Sequence, residues 1–268
     1  MKRTERVSII VKILSDTPGK VYPLQYFCDL FDMAKSSISE DINIANSAME
    51  KAKKGNIETI AGARGGVRYV PSMDSQEVSE FLESFCEKLR NSDRILGGNF
   101  LYTSDLMFDM EAMNTMASYF ASKFKDSGAN YVATVETKGV PLATMVAYQL
   151  HLPLIVCRRE AKVSEGSTLS INYFSGSYDR IQKMSLSKRA VKPGMKALIV
   201  DDFMRGGGST KGISDILSEF NVKVVGTAVA IASAVPEKKK ISEFTSAVTL
   251  YDIDEENRII KVEPNTVK

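Results

Sequence analysis

The segment with the clearest chemical character is KALIVDDFMRGGGSTKG, residues 196–212. Its apolar start predicts a buried strand, and Asp201 and Asp202 come next, where two carboxylates can accept hydrogen bonds from vicinal hydroxyls. The glycine-rich turn that follows lets the backbone approach an anion, and amides at a helix N-terminus point toward it. The pattern predicts a cradle for a phosphorylated ribose rather than a plain strand–turn–helix with a flexible tip.

The candidate ligand-binding residues in this segment are two acids, one cation, three glycines and two hydroxyls: Asp201, Asp202, Arg205, Gly206, Gly207, Gly208, Ser209 and Thr210. The acids would hold the ribose hydroxyls. The cation, the glycine amides and the hydroxyls would hold the phosphate.

The elements around this cradle predict an α/β domain. From about residue 108, helices and strands alternate, which is typical of a parallel sheet with helices on both faces. Helices are predicted over 110–125, 140–149 and 212–220, and strands over 131–135, 153–157, 197–200 and 222–232. A polar insert over 158–193 contains two strand-like pieces, TLSINYF and RIQKMSL. Ligands bind at the carboxyl ends of such strands, so we expect the insert to cover the cradle.

The first 73 residues follow a different plan, with three helical patterns and then two short strands, NIETI and VRYV, around a glycine-rich turn. This order, two helices joined by a short turn and followed by a hairpin, is the layout of a winged helix-turn-helix. The second of these two helices enters the DNA major groove. Ser36 or Ser37 is expected to cap that helix. Residues 72–91 predict a connecting helix between the two halves.

The candidate DNA contacts are hydroxyls and cations on the recognition helix, the wing and the first helix: Lys35, Ser36, Ser37, Ser39, Arg64, Arg68, Arg3 and Arg6. They can donate to phosphates and base edges. The alternative is that they are solvated charges on a module used for dimerisation. The net charge of +2 permits a nucleic-acid partner without requiring one.

The cysteines, the single histidine and the lengths of the apolar runs limit the classes of protein to which the chain can belong. The three cysteines are widely spaced in apolar runs, which predicts buried thiols in a cytoplasmic protein. His151, the single histidine, is interpreted as a packed turn residue rather than an acid–base group, and no zinc or haem site is expected. No apolar run reaches the length of a membrane span, and no signal peptide is evident.

The segment 196–212 resembles the motif that binds 5-phosphoribosyl-1-pyrophosphate (PRPP) in type I phosphoribosyltransferases. ATVETKGVPLA, residues 133–143, is similar to the pyrophosphate loop of that family, which would place Thr137, Lys138 and Gly139 against the diphosphate. Lys162 begins a stretch that resembles the loop closing over PRPP. The resemblance also implies Mg²⁺ as a companion of PRPP. The chain departs from the usual enzyme motif at Arg205 and Gly206.

Four segments together extend the resemblance to nearly the whole chain: AKSSISED, ETKGVPLA, KVSEGSTLSINYFSGS and VDDFMRGGGS. They resemble the purine-operon transcription regulators of Gram-positive bacteria, in which a basic residue at the position of Arg205 is expected. The resemblance implies a winged-helix DNA-binding domain over 1–73 and a PRPP-binding effector domain over 74–268. It also implies a homodimer that binds double-stranded operator DNA of purine genes, with repression or activation left open. The alternative is a purine phosphoribosyltransferase with an accessory N-terminal domain.

Overall fold

The computed structural model describes residues 1–63, 65–161, 163–175 and 180–265. Two candidate site residues, Arg64 and Lys162, lie outside these ranges. The N-terminal region consists of three helices followed by an antiparallel hairpin: α1 (Arg3–Asp16), α2 (Leu24–Phe31), α3 (Lys35–Lys51), β1 (Asn56–Ile60) and β2 (Gly66–Val70). This is the element order predicted for a winged helix-turn-helix.

The N-terminal helices pack around their own apolar cluster, which includes Ile10, Leu14, Phe27 and Ile38. Each helix contributes to this cluster the face on which its apolar residues recur at helical spacing. The expected cap of α3 is wrong, because Ala34 is the N-cap residue and it makes no side-chain hydrogen bond. Ser36 and Ser37 therefore lie inside the first turn of α3, where their hydroxyls are not used as a cap.

The remaining chain contains five α-helices and ten strands within the described ranges, besides two short 3-10 helices: α4 (Ser75–Leu89), β3 (Ile95–Leu96), β4 (Phe100–Leu101), α5 (Ser104–Met107), α6 (Met110–Phe124), β5 (Tyr131–Val135), α7 (Gly139–Leu150), β6 (Leu154–Cys157), β7 (Thr168–Ser175), β8 (Arg180–Ser187), β9 (Lys196–Met204), α8 (Gly208–Glu219), β10 (Lys223–Ser233), β11 (Thr245–Asp254) and β12 (Ile259–Pro264).

The central sheet has the strand order β12-β11-β10-β9-β5-β6. All neighbouring pairs are parallel except β11 and β12, which form an antiparallel edge. Apolar clusters cover the two faces. One includes residues of α4, α6 and α7, and the other includes residues of α8 and the β7–β8 hairpin. The predicted α/β fold with a parallel sheet between helices is confirmed.

Helix α4 packs with the sheet, because Val78, Leu82, Phe85 and Leu89 belong to the apolar cluster of the larger region. None of the buried residues of the N-terminal cluster comes from α4. This partition supports the proposed boundary near residue 73.

The structure differs from the sequence predictions at several element ends. Strand β9 continues to Met204 because it pairs with β10 as far as Ala232, so the two acids lie within the strand rather than after it. Helix α8 starts at Gly208, earlier than predicted, since glycines hide the helical period. Strands β11 and β12 lie beyond the last predicted strand, which ends at residue 232.

Several contacts join the N-terminal region to the larger region. The Tyr148 hydroxyl, near the end of α7, donates to the Asp16 carbonyl at 2.7 Å. Gly19 lies against the backbone of Leu150, where a Cβ atom would approach to 2.7 Å. On the other side, Glu58 of β1 pairs with Lys125, which follows α6.

Candidate functional site

A cavity of about 490 Å³ lies at the carboxyl end of the sheet, where the predicted ligand segments converge. Six of the candidate residues line it: Thr137, Lys138, Asp201, Asp202, Arg205 and Ser209. They come from two strand–loop–helix segments that are far apart in sequence, and the strands of these segments, β5 and β9, pair directly in the sheet. The cavity therefore joins the predicted pyrophosphate loop to the predicted ribose-phosphate cradle.

The two acids occupy different surroundings. Asp201 is buried, its Oδ1 accepts the backbone amide of Asp202 at 3.0 Å, and Asp202 is half-buried. Burial, reinforced by the neighbouring charge of Asp202, raises the pKa of Asp201. Burial also raises the pKa of Asp202, although Asp201 and the charge of Lys138 oppose this. Ribose hydroxyls can donate further hydrogen bonds to these carboxyl groups, and a cation can pair with their charge.

The loop between β9 and α8 has the geometry of an anion site. Gly207 is the N-cap of α8 with φ of 76°, a conformation that favours glycine. No side chain caps this helix, so its first amides remain available to an external acceptor. Gly206 and Gly208 flank the turn, and Thr210 is buried in the first turn of α8. These residues support the cavity without lining it.

The loop between β5 and α7 is followed by a glycine at the first position of the helix, where a side chain would not fit. A Cβ atom at Gly139 would approach both Asp201 Oδ1 and Thr134 Oγ1 to 2.7 Å. The loop therefore packs directly onto the first acid of the cradle. Thr134 Oγ1 has no hydrogen-bond partner among the described residues.

Sequence reasoning missed one wall of the cavity. It is formed mostly by apolar and aromatic side chains of the β3–β4 hairpin and of β11, together with residues near the ends of β9 and β10: Asn99, Phe100, Leu101, Thr103, Phe203, Ser233, Val235, Leu250, Tyr251, Asp252 and Ile253. Glu136, Arg159 and Ser175 also line the cavity. The sequence offered no signal for this wall, because the exposure of Phe100 and Tyr251 is evident only in the folded structure.

Within the described ranges, no cluster of three or more His, Cys, Asp or Glu side chains has the arrangement of a metal site. His151 lies in the turn after α7, as expected, but it is exposed rather than packed. All three cysteines are reduced and buried, as predicted. Within the same ranges, no helix combines the length and apolar character needed to cross a lipid bilayer.

The start of α3 presents its polar side chains outward. Lys35, Ser36 and Ser39 are exposed, and Ser37 is half-buried. The turn before α3 contains Asp32 in the left-handed conformation, which brings the two helices of the pair together. This surface has the donors that contacts with phosphates and base edges require.

Three of the arginines expected at the DNA have internal partners. Arg6 is buried, and its Nε lies 2.7 Å from Asp41 Oδ2. Arg68 pairs with Glu58 across the hairpin at 2.8 Å and is about one-fifth exposed. The guanidinium groups of these two side chains are already paired with carboxylates, which favours a structural role over the expected DNA contact. Arg3 pairs with Glu40 and Asp41 but stays half exposed.

Burial alone would raise the pKa of Glu58, but Lys125 and Arg68 outweigh it and hold the pKa below the ordinary value. The carboxylate is therefore charged at neutral pH and joins the hairpin to the larger region. This cluster is therefore a contact between the N-terminal region and the larger region.

Comparison with known proteins identifies both regions. Residues 2–71 match the family described as bacterial purine repressor, N-terminal, and residues 110–263 match the phosphoribosyl transferase domain. The chain is 42% identical to a probable purine biosynthesis transcriptional regulator of Streptococcus pneumoniae, over 100% of this chain and 98% of the relative. It is 38% identical to the purine biosynthesis transcriptional repressor of Bacillus subtilis, over 98% of this chain and 92% of the relative.

Enzymes match a smaller part of the chain. The xanthine phosphoribosyltransferase of Oenococcus oeni is 29% identical over 59% of this chain and 78% of the enzyme. The crystal structure of adenine phosphoribosyltransferase from Thermoanaerobacter pseudethanolicus has a TM-score of 0.53 at 20% identity, covering 62% of this chain and 97% of the enzyme, which shows the fold alone. The regulators match over nearly their full length, which confirms the prediction of a regulator over that of an enzyme. The chain belongs to the family of purine biosynthesis transcriptional regulators.

Proposed function

We propose that PRPP is the effector of this regulator and controls its binding to operator DNA of purine biosynthesis genes. The observation that carries the proposal is the convergence of the two loops on one cavity, with two acids between them. In this arrangement the ribose hydroxyls meet Asp201 and Asp202. The 5-phosphate meets the amides of residues 206–208 with Arg205, Ser209 and Thr210 beside them, and the diphosphate meets Thr137, Lys138 and Gly139.

The electrostatics of the cavity support this orientation. Vicinal hydroxyls donate to the two carboxylates and thereby stabilise their charged forms, which offsets the cost of burial. Mg²⁺ bound together with PRPP would act in the same direction, since hard cations prefer carboxylate, hydroxyl and phosphate oxygens. Lys138 lies close enough to Asp202 to lower its pKa, and its ammonium group would also attract the diphosphate.

The DNA-binding surface that we propose is the start of α3, with Lys35, Ser36, Ser37 and Ser39 facing the major groove. Arg3 remains at the edge of this surface because it is half exposed. Arg64 stays a wing-tip candidate from its sequence position. A cytoplasmic homodimer would present two such surfaces to a palindromic operator, and light scattering in solution tests the dimer.

The experiment is a titration of fluorescent promoter DNA from a purine biosynthesis gene, with and without PRPP and Mg²⁺. We expect PRPP to change operator affinity and ribose 5-phosphate at the same concentration to change it much less. Equal effects of the two ligands, or no effect of PRPP, would contradict the proposal. Incubation with PRPP, Mg²⁺ and adenine, guanine, hypoxanthine, xanthine or uracil should form no nucleotide.

A further inference from the structure

The segment that connects β10 to β11 contains three consecutive lysines in the sequence SAVPEKKKI, residues 233–241. Ser233 and Val235 line the cavity, and the rest of the segment runs beside the loop over 205–208. The three lysines differ in their surroundings. Lys238 is exposed, Lys239 is half-buried, and the Lys240 ammonium lies 4.3 Å from the centre of the Phe174 ring.

The Lys239 ammonium group uses its three N–H donors on backbone carbonyls. It donates to Arg205 at 2.6 Å, to Ser233 at 2.6 Å and to Pro236 at 2.5 Å. One residue further, the backbone amide of Lys240 donates to the Gly206 carbonyl at 2.9 Å. Two consecutive carbonyls of the loop, those of Arg205 and Gly206, are therefore anchored to the lysine segment.

Anchoring these carbonyls also orients the amides that follow them. In a planar trans peptide group the C=O and N–H bonds point in opposite directions. The amides of Gly206 and Gly207 are therefore turned away from the lysine segment. Among the described residues, neither amide donates to a backbone carbonyl. Two adjacent amides held in one direction beside a left-handed residue form a concave anion site.

We propose that Lys239 is a positioning residue that holds the loop over 205–208 in the conformation that binds the 5-phosphate of the effector. Lys239 acts through the carbonyls of the loop and does not itself touch the ligand. The proposal rests on the proposed function, since it concerns how the same site reaches its binding geometry. A flexible glycine-rich loop loses much conformational freedom on binding, so an anchor present before binding increases affinity.

The experiment compares Lys239→Met with Lys238→Met, which makes the same change of charge at an exposed neighbour. Calorimetric titrations with PRPP, ribose 5-phosphate and inorganic pyrophosphate separate the two halves of the site. For Lys239→Met we expect affinity for PRPP and ribose 5-phosphate to fall about tenfold or more, since charged hydrogen bonds are lost. Affinity for pyrophosphate should stay within about twofold, because its loop is anchored elsewhere. Lys238→Met should bind all three ligands like the parent.

Two results would overturn the proposal. In one, Lys239→Met binds PRPP as tightly as Lys238→Met; in the other, it loses pyrophosphate affinity to the same extent as PRPP affinity. If Lys239→Met does not fold, Lys239→Gln serves in its place, since it keeps one donor group but cannot reach three carbonyls. Parent-like binding of ribose 5-phosphate by that variant would equally refute the role of Lys239. Failure of the parent to bind PRPP would instead contradict the proposed function.

Discussion

Replacing Arg6 with alanine separates the structural role of this side chain from the DNA contact that its position in the sequence suggests. Arg6 lies in α1, and its side chain is 10% exposed against an Asp41 side chain with no exposure at all. Removing Arg6 leaves the Asp41 carboxylate buried with one remaining partner, Arg3. Breaking a buried ion pair in this way costs about 3–5 kcal/mol of the free energy of unfolding.

At about 2–4 °C per kcal/mol for a chain of this size, the expected fall in melting temperature is about 6–20 °C. The matched control is Arg3→Ala. Arg3 is half exposed, and its removal leaves the Arg6–Asp41 pair intact. Its loss should therefore lower the free energy of unfolding by at most about 1 kcal/mol. Thermal unfolding of the three proteins, followed by circular dichroism, measures this difference directly.

The DNA assay gives an independent readout. A lost phosphate contact lowers the slope of log affinity against log salt concentration by about 0.9. Because Arg6 is occupied by Asp41, Arg6→Ala should leave that slope unchanged at a temperature where the variant is folded. A variant with parent-like stability and a shallower salt slope would refute this reasoning and return Arg6 to the DNA surface.

Three further predictions follow from the site and its connections. Lys35→Ala should weaken operator binding and reduce the salt slope by about 0.9 while PRPP affinity stays unchanged, and an unchanged slope would remove Lys35 from the interface. Burial, with the charge of Asp202, raises the pKa of Asp201, so ionisation of the parent costs stability as pH rises through that pKa. Asp201→Asn should therefore raise the melting temperature of the ligand-free protein at pH 7, and this gain should disappear below about pH 4. Calorimetry across this pH range checks the sign of the change in melting temperature. The same variant should abolish the response of DNA binding to PRPP. Tyr148→Phe removes the hydrogen bond from the end of α7 to the Asp16 carbonyl. We expect this variant to keep its affinity for PRPP and its affinity for operator DNA, while PRPP changes operator binding less than in the parent. A parent-like PRPP response would contradict this.

The ligand cradle was predictable from sequence because its elements are local. The apolar run, the two acids and the three glycines lie within 17 consecutive residues. Each of these residue types restricts the backbone conformation or the burial of this short segment. The same holds for the helices and the hairpin of the N-terminal region, whose periodicity identifies their buried faces. Element ends were less predictable, since the length of β9 depends on its pairing with β10.

Only the tertiary structure decided which partners the charged side chains take. Arg6 meets Asp41 across 35 residues, and Lys239 meets the Arg205 carbonyl across 34, so no local pattern distinguishes them from solvated cations. The apolar wall of the cavity likewise combines the β3–β4 hairpin with β11, which only the folded sheet brings together. The sequence by itself identified the segment that we propose to bind a ribose phosphate, because that chemistry lies within one strand, turn and helix. The tertiary structure determined how this segment is held and which arginines are already paired with carboxylates, because those contacts join segments that are distant in the chain.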